Sequence, residues 1–227
     1  MTWDAVRAFL IHDYTLFGLF GSLLILLSMI ISGLVYRGKQ GENYSVLNHF
    51  ISELGEVGVS RFSWLFNFGL IAGGLVLMPF LAGMGLALAS IWGKLALIMG
   101  ILTALSCIAV GIFPMNHIQL HTWAAIAYFR TGLVTVLLFS VAVFYQPSEF
   151  EIIPKLSNLA GLFSVLCYAS FLLTTNTKKK GADSSNEALD PESQPERPRF
   201  WRTAILEWAV FFSTIIWFLI LALVNLR

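Results

Sequence analysis

Charge is scarce in this sequence: 14 Lys and Arg and 13 Asp and Glu make up 12% of 227 residues, about half the usual share in a soluble domain. With a net charge of +1 and no basic face, the chain lacks the electrostatic footprint of a nucleic-acid reader. Cysteine is scarce as well. Cys107 and Cys167 both fall inside apolar stretches, where a thiol packs as a small apolar side chain. Two such residues supply neither a disulfide framework nor a Cys-x-x-Cys metal site. A signal-peptide pattern is missing too: the first apolar run is too long for an h-region and no small-residue cleavage site follows it. No internal repeat and no soluble domain stands out.

What the chain has instead is apolar length. Hydrophobic residues make up 57% of it and the mean hydropathy is +0.78, the composition of an integral membrane protein. A crossing of the ~30 Å hydrocarbon core takes about 20 residues. Tyr14–Tyr36 is one such run. Phe62–Phe113 holds two, expected at 62–84 and 92–113, with Gly83, Gly85 and an interfacial Trp92-Gly93-Lys94 marking a turn near 85–92. Trp123–Tyr145, Leu156–Leu173 and Thr203–Val224 complete six. Solid apolar runs without alternation predict an all-α bundle of six transmembrane helices, not a barrel. Residues 176–202, rich in Lys, Ser, Glu and Pro, are expected to be a disordered polar loop. Gly69, Gly73 and Gly74 are expected to permit close helix packing.

Six spans place loops one, three and five on one face. That face carries Arg37, Lys39, Arg61, Lys178, Lys179, Lys180, Arg197, Arg199 and Arg202, against Arg7, Lys94, Lys155 and Arg227 on the other. The bias puts the odd loops in the cytoplasm.

Within the six runs only Lys94, Arg130 and Glu207 are charged. Intramembrane charge costs roughly 2.5–3.5 kcal/mol per residue on insertion scales, so it marks a functional site by default. Lys94 is placed to snorkel to the headgroups. Arg130 and Glu207 lie on helices opening from the odd-loop face, which also carries two polar motifs, Asn43–Gly55 and Pro114–Thr122. His49 with Glu53, and His117 with His121, recur at i, i+4, the spacing by which one helix face offers two ligands to a metal ion. His49, His117 and His121 are therefore candidate zinc ligands, with Glu53 or Glu207 as general base. Arg130 lies about 13 Å deeper than His121, and since Glu207 is the only acidic residue in any span, the two are expected to form a pair or an anion cradle. The candidate binding residues are Arg130, Glu207, Asn116 and His49. His12 and Asp13, ahead of the first span, are expected to be interfacial.

Ile51-Ser-Glu-Leu-Gly55, Gly111-Ile-Phe-Pro114 and His121-Thr-Trp-Ala-Ala125, in this order, resemble the bacterial and archaeal domain-of-unknown-function family 998. That family is distantly similar to the Frag1/DRAM/Sfk1 membrane proteins, whose first loop carries an Ile-Ser-Asp-x-Gly variant. The resemblance implies six spans, a polar cluster of loop one with loop three, and no established reaction. It also implies that the motif face lies outside the cytoplasm, against the charge bias, which leaves orientation open. Family members carry an acidic residue just after Phe-Pro, where this chain has Met115-Asn116. A second similarity, of Ser45-x-x-x-His49 and His117-x-x-x-His121, is to ceramidase-like membrane hydrolases. The leading expectation is a cell-membrane protein interacting with membrane lipids through a polar pocket. The alternatives are a zinc-dependent hydrolase of a lipid amide or ester and a small transporter. No protein partner can be inferred.

Overall fold

Hydrocarbon offers a backbone no hydrogen-bond partner, so each apolar run satisfies its own N–H and C=O groups by coiling into a helix. The computed structural model describes residues 2–147, 149, 151–182 and 197–225. Six helices run through them: α1 (Trp3–Leu34), α2 (Ser63–Ala87), α3 (Ile91–Ile112), α4 (Ile118–Phe144), α5 (Asn158–Ala182) and α6 (Arg202–Val224). All six contain a stretch long and apolar enough to cross a membrane, and no strand occurs among the described residues. This is the all-α architecture of a multi-pass membrane protein.

Local chemistry sets the ends. Ser90 caps α3 by accepting the Gly93 N–H at 3.0 Å. Ala89, at φ +48°, turns the chain between α2 and α3 inside the expected interval. Two helices run further than their apolar cores. Since α1 begins at Trp3, His12 and Asp13 sit on it, 2.9 Å apart. At the other extreme α5 continues to Ala182, and Arg197–Trp201 packs on loop one. Both ends of the stretch expected to be disordered, 176–202, thus hold structure, while residues 183–196 lie outside the described residues.

The helices form a ring in chain order, each packed on its sequence neighbours, with α6 closing on α1. Small residues bring the helices together: a Cβ on Gly73 would collide with Ile25 of α1, and one on Gly74 would lie 2.7 Å from Ile108 of α3. Aromatic rings fill the lower half, with Phe80 edge-on to Phe218 at 5.3 Å and Phe139 6.5 Å from Trp217. In the opposite mouth sits a 3-10 helix, Ile51–Gly55. It packs against α1, α2, α6 and the short 3-10 turn Met115–His117.

Candidate functional site

Every residue of Ile51-Ser-Glu-Leu-Gly55 has a separate task in plugging that mouth. The first N–H groups of a helix have no partner within it, and here two carboxylates supply one. The Phe50 N–H donates to Glu53 Oε1 at 2.8 Å, and the Ile51 N–H donates to Glu207 Oε2 of α6, also at 2.8 Å. Ser52 faces the interior of the ring and Leu54 is fully buried. Gly55 lies so close to α2 that a Cβ there would strike the Asn67 side chain, whose Nδ2 donates to the Gly55 carbonyl at 3.0 Å.

The plug is fastened from three sides. Arg197 donates through both terminal nitrogens to Glu53, at 3.0 and 2.8 Å, and also to the Asn48 carbonyl at 2.7 Å. Such a forked pair combines charge with fixed geometry. From loop three, Asn116 accepts the Val57 N–H at 2.8 Å and donates to the Val57 carbonyl at 3.0 Å. From α6, Trp208 Nε1 donates to the Tyr44 hydroxyl at 3.1 Å and to the His49 carbonyl at 3.3 Å. Tyr44 in turn donates to the Phe50 carbonyl at 2.8 Å.

His49 belongs to this fastening. Its ring lies 5.5 Å from Tyr36 and 5.0 Å from Tyr44, its Nδ1 is 2.8 Å from Asn48 Oδ1, and its buried Nε2 has no hydrogen-bond partner among the described residues, with Glu42 Oε1 3.9 Å away. Burial holds its imidazole below the ordinary 6.5, against the opposing pull of Glu53. Burial, and then the charge of Glu207, push the Tyr44 phenol up.

Beneath the plug the ring encloses a cavity of about 100 Å³. Ser52, His121 and Glu207 line its upper end. Below them the wall is mostly apolar, from Leu70 and Val110 to Leu81 and Phe218, with hydroxyls at Thr103, Tyr128, Thr135, Tyr168 and Thr214. His121 Nδ1 is 2.8 Å from the Phe113 carbonyl. A carbonyl only accepts, so Nδ1 carries the hydrogen and the neutral ring keeps Nε2 as an acceptor. The half-buried Glu207 has given Oε2 to Ile51, and among the described residues nothing donates to its Oε1.

The structure thus brings Glu207 and His121 together and places the other sequence candidates elsewhere. Arg130 is exposed on the outer face of α4 and does not pair with Glu207. The reason is helical geometry: nine residues are two and a half turns, so a His121 that faces inward sends Arg130 outward. His117 is exposed, because α4 starts only at Ile118 and the two histidines do not share a helix face. His49 and Glu53 likewise straddle a turn and a 3-10 helix, and Glu53 meets Arg197 instead. Among the described residues no three His, Cys, Asp or Glu side chains form a group that could hold a metal ion. His49, His117 and His121 do not fit zinc as a ligand set. Ser52, Tyr44, Trp208 and Arg197 were not among the candidates. Trp208, next to the only acidic residue in a span, carried the clearest signal; Arg197 carried none to separate it from its basic neighbours.

Fold and site together define a six-helix integral membrane bundle with an internal cavity that is polar at one end. The chain belongs to the DUF998 family: the sequence model of that family, described as a protein of unknown function (DUF998), matches residues 19–224. No curated protein and no solved structure matches the chain.

Proposed function

We propose that this chain is a cell-membrane protein that holds one lipid-like amphiphile within the bundle, head upward against Ser52, His121 and Glu207. The observation that carries this reading is the gradient of the cavity wall, polar under the plug and apolar below it. An amphiphile has the same gradient, and a ligand pocket is ordinarily an apolar cleft with a few placed polar groups. His49, Glu53 and Asn116 serve by holding the plug over the cavity. Arg130, on the outer face, meets a lipid phosphate drawn toward it from the bilayer surface. Distant similarity to the Frag1/DRAM/Sfk1 proteins remains part of this reading and adds no chemistry to it. A zinc hydrolase has no comparable support, since its three histidines stand apart. Among the described residues no paired broken helices support a transporter.

Native mass spectrometry of the protein taken gently from its membrane tests the reading. A bound amphiphile at one per chain is expected, and Ala125→Leu, which adds bulk to the cavity wall, should remove it while the chain stays folded. A folded wild-type protein with no such ligand, or unchanged occupancy in the filled variant, would sink the proposal.

A further inference from the structure

The polar end of the cavity is unusual in what it can offer a ligand. Of the groups lining it, none is Lys or Arg. Glu207 Oε1 and His121 Nε2 are both acceptors, and beside them the Ser52 hydroxyl is the one neutral group that can either donate or accept. The hydroxyls lower in the wall are engaged with one another or with backbone: Thr103, Thr135 and Thr214 donate to carbonyls one turn back on their own helices, at 2.9, 2.8 and 2.8 Å, and the Tyr168 hydroxyl bonds to Thr214, at 3.3 Å, and to Tyr128. Arg197 is committed to Glu53 and Asn48 above the plug. A protonated Glu207 would add one donor, still beside the His121 acceptor and its own carbonyl oxygen.

Shape narrows the class further. The lining residues on α6 run from Glu207 to Phe218, eleven positions or about 16 Å along the axis. A volume of about 100 Å³ along that length leaves room for one chain at most. A two-chain lipid has no place in it.

We infer that the cavity takes a single-chain amphiphile whose head donates hydrogen bonds and carries no negative charge, a long-chain alcohol or amine in kind, held at Glu207 and His121. This rests on the reading of the cavity as an amphiphile site and specifies its ligand. A buried acceptor left without a donor is costly, so a donor-rich head is stabilised there. A carboxylate or phosphate head would find no Lys or Arg in the lining, and against an ionised Glu207 it would set like charge in a medium of low dielectric.

Three probes of one chain length separate the outcomes: dodecanol, dodecylamine and dodecanoate, each measured for binding to the delipidated full chain. The alcohol or the amine should bind at least about tenfold more tightly than the carboxylate. Glu207→Gln keeps a carbonyl oxygen for the Ile51 N–H but turns a donor toward the cavity, so it should erase or invert that preference. Loss of amine binding alone in this variant would identify an ammonium head, and loss of alcohol binding a hydroxyl one; both uphold the inference. Because the preference is a ratio on one folded sample, partial destabilisation does not mimic it. Dodecanoate bound as tightly as the other two, and lost in Ala125→Leu, would overturn the inference and leave the amphiphile site standing. No binding of any probe, with no native ligand found, would overturn both.

Discussion

Arg130 and Glu207 are each costly in a membrane, and each meets that cost differently. Glu207 turns inward and accepts a backbone N–H, whereas Arg130 turns outward, where its long stem can carry the guanidinium toward the headgroups. Two residues with no shared partner should act independently. Arg130→Ala and Glu207→Ala are therefore expected to have additive effects on thermal stability, within about 0.5 kcal/mol. A strong positive coupling in the double variant would mean that the two meet after all. His49 gives a second residue-scale expectation. Its folded pKa lies below 6.5 because burial disfavours the charged ring, so the unfolded chain binds more protons there. Stability should then fall as pH drops through about 6.5, and it should be fully present above that value. Thermal melts of wild type and His49→Phe at pH 7.5 and 5 check this: the variant should lose less stability between the two. Glu42, Glu53 and Arg197 all act on this ring, so an unchanged pH response in the variant would assign the effect to them.

At the scale of elements, the clasp of Arg197 on Glu53 is one of the contacts that hold the short helix Ile51–Gly55. Glu53 is only 7% exposed, and removing one partner of such a pair leaves a buried charge uncompensated. Arg197→Ala should cost about 2 kcal/mol and raise hydrogen exchange at Phe50 and Ile51. Adding Glu53→Gln to it should recover part of the loss, since Gln keeps the acceptor for Phe50 without the charge. No recovery in the double variant would show that Arg197 acts through Asn48 alone. This clasp also marks the limit of what the sequence discloses. Apolar runs announce helices because a crossing has a fixed length, and all six were legible in that way. The ends of α1 and α5 were not, since polar residues can continue a helix beyond the hydrocarbon. Arg197 sits in a charged, Pro-rich stretch that reads as loop by composition, and one long-range ion pair leaves no periodic trace. Asn116 shows the opposite case. Its place after Phe-Pro is visible in the sequence, but only the structure shows that it pairs with both polar groups of Val57, which an acidic side chain could not do while ionised.

For the whole molecule, the candidate site was half legible. Charge in a span pointed to Glu207, and spacing pointed to His121. The same spacing argument, carried through at two and a half turns, separates His121 from Arg130. The wheel positions of α4 that line the cavity, His121, Ala125, Tyr128, Phe129, Gly132, Thr135 and Val136, follow helical periodicity and exclude Arg130. Ring closure has a further consequence, in the order of synthesis. The residues that secure the first loop, Glu207 and Trp208, are translated after five other helices. Until α6 arrives, the Ile51 N–H has no carboxylate and the mouth beside α1 stands open. The first loop of a nascent chain is thus a built-in report on whether the last helix has been inserted. A chain stopped after Ala182 should leave Tyr44–Gly55 open to proteolysis and be cleared quickly from the membrane, and supplying α6 as a separate segment should restore protection. A truncated chain that keeps this loop protected would show that the five-helix bundle closes by itself.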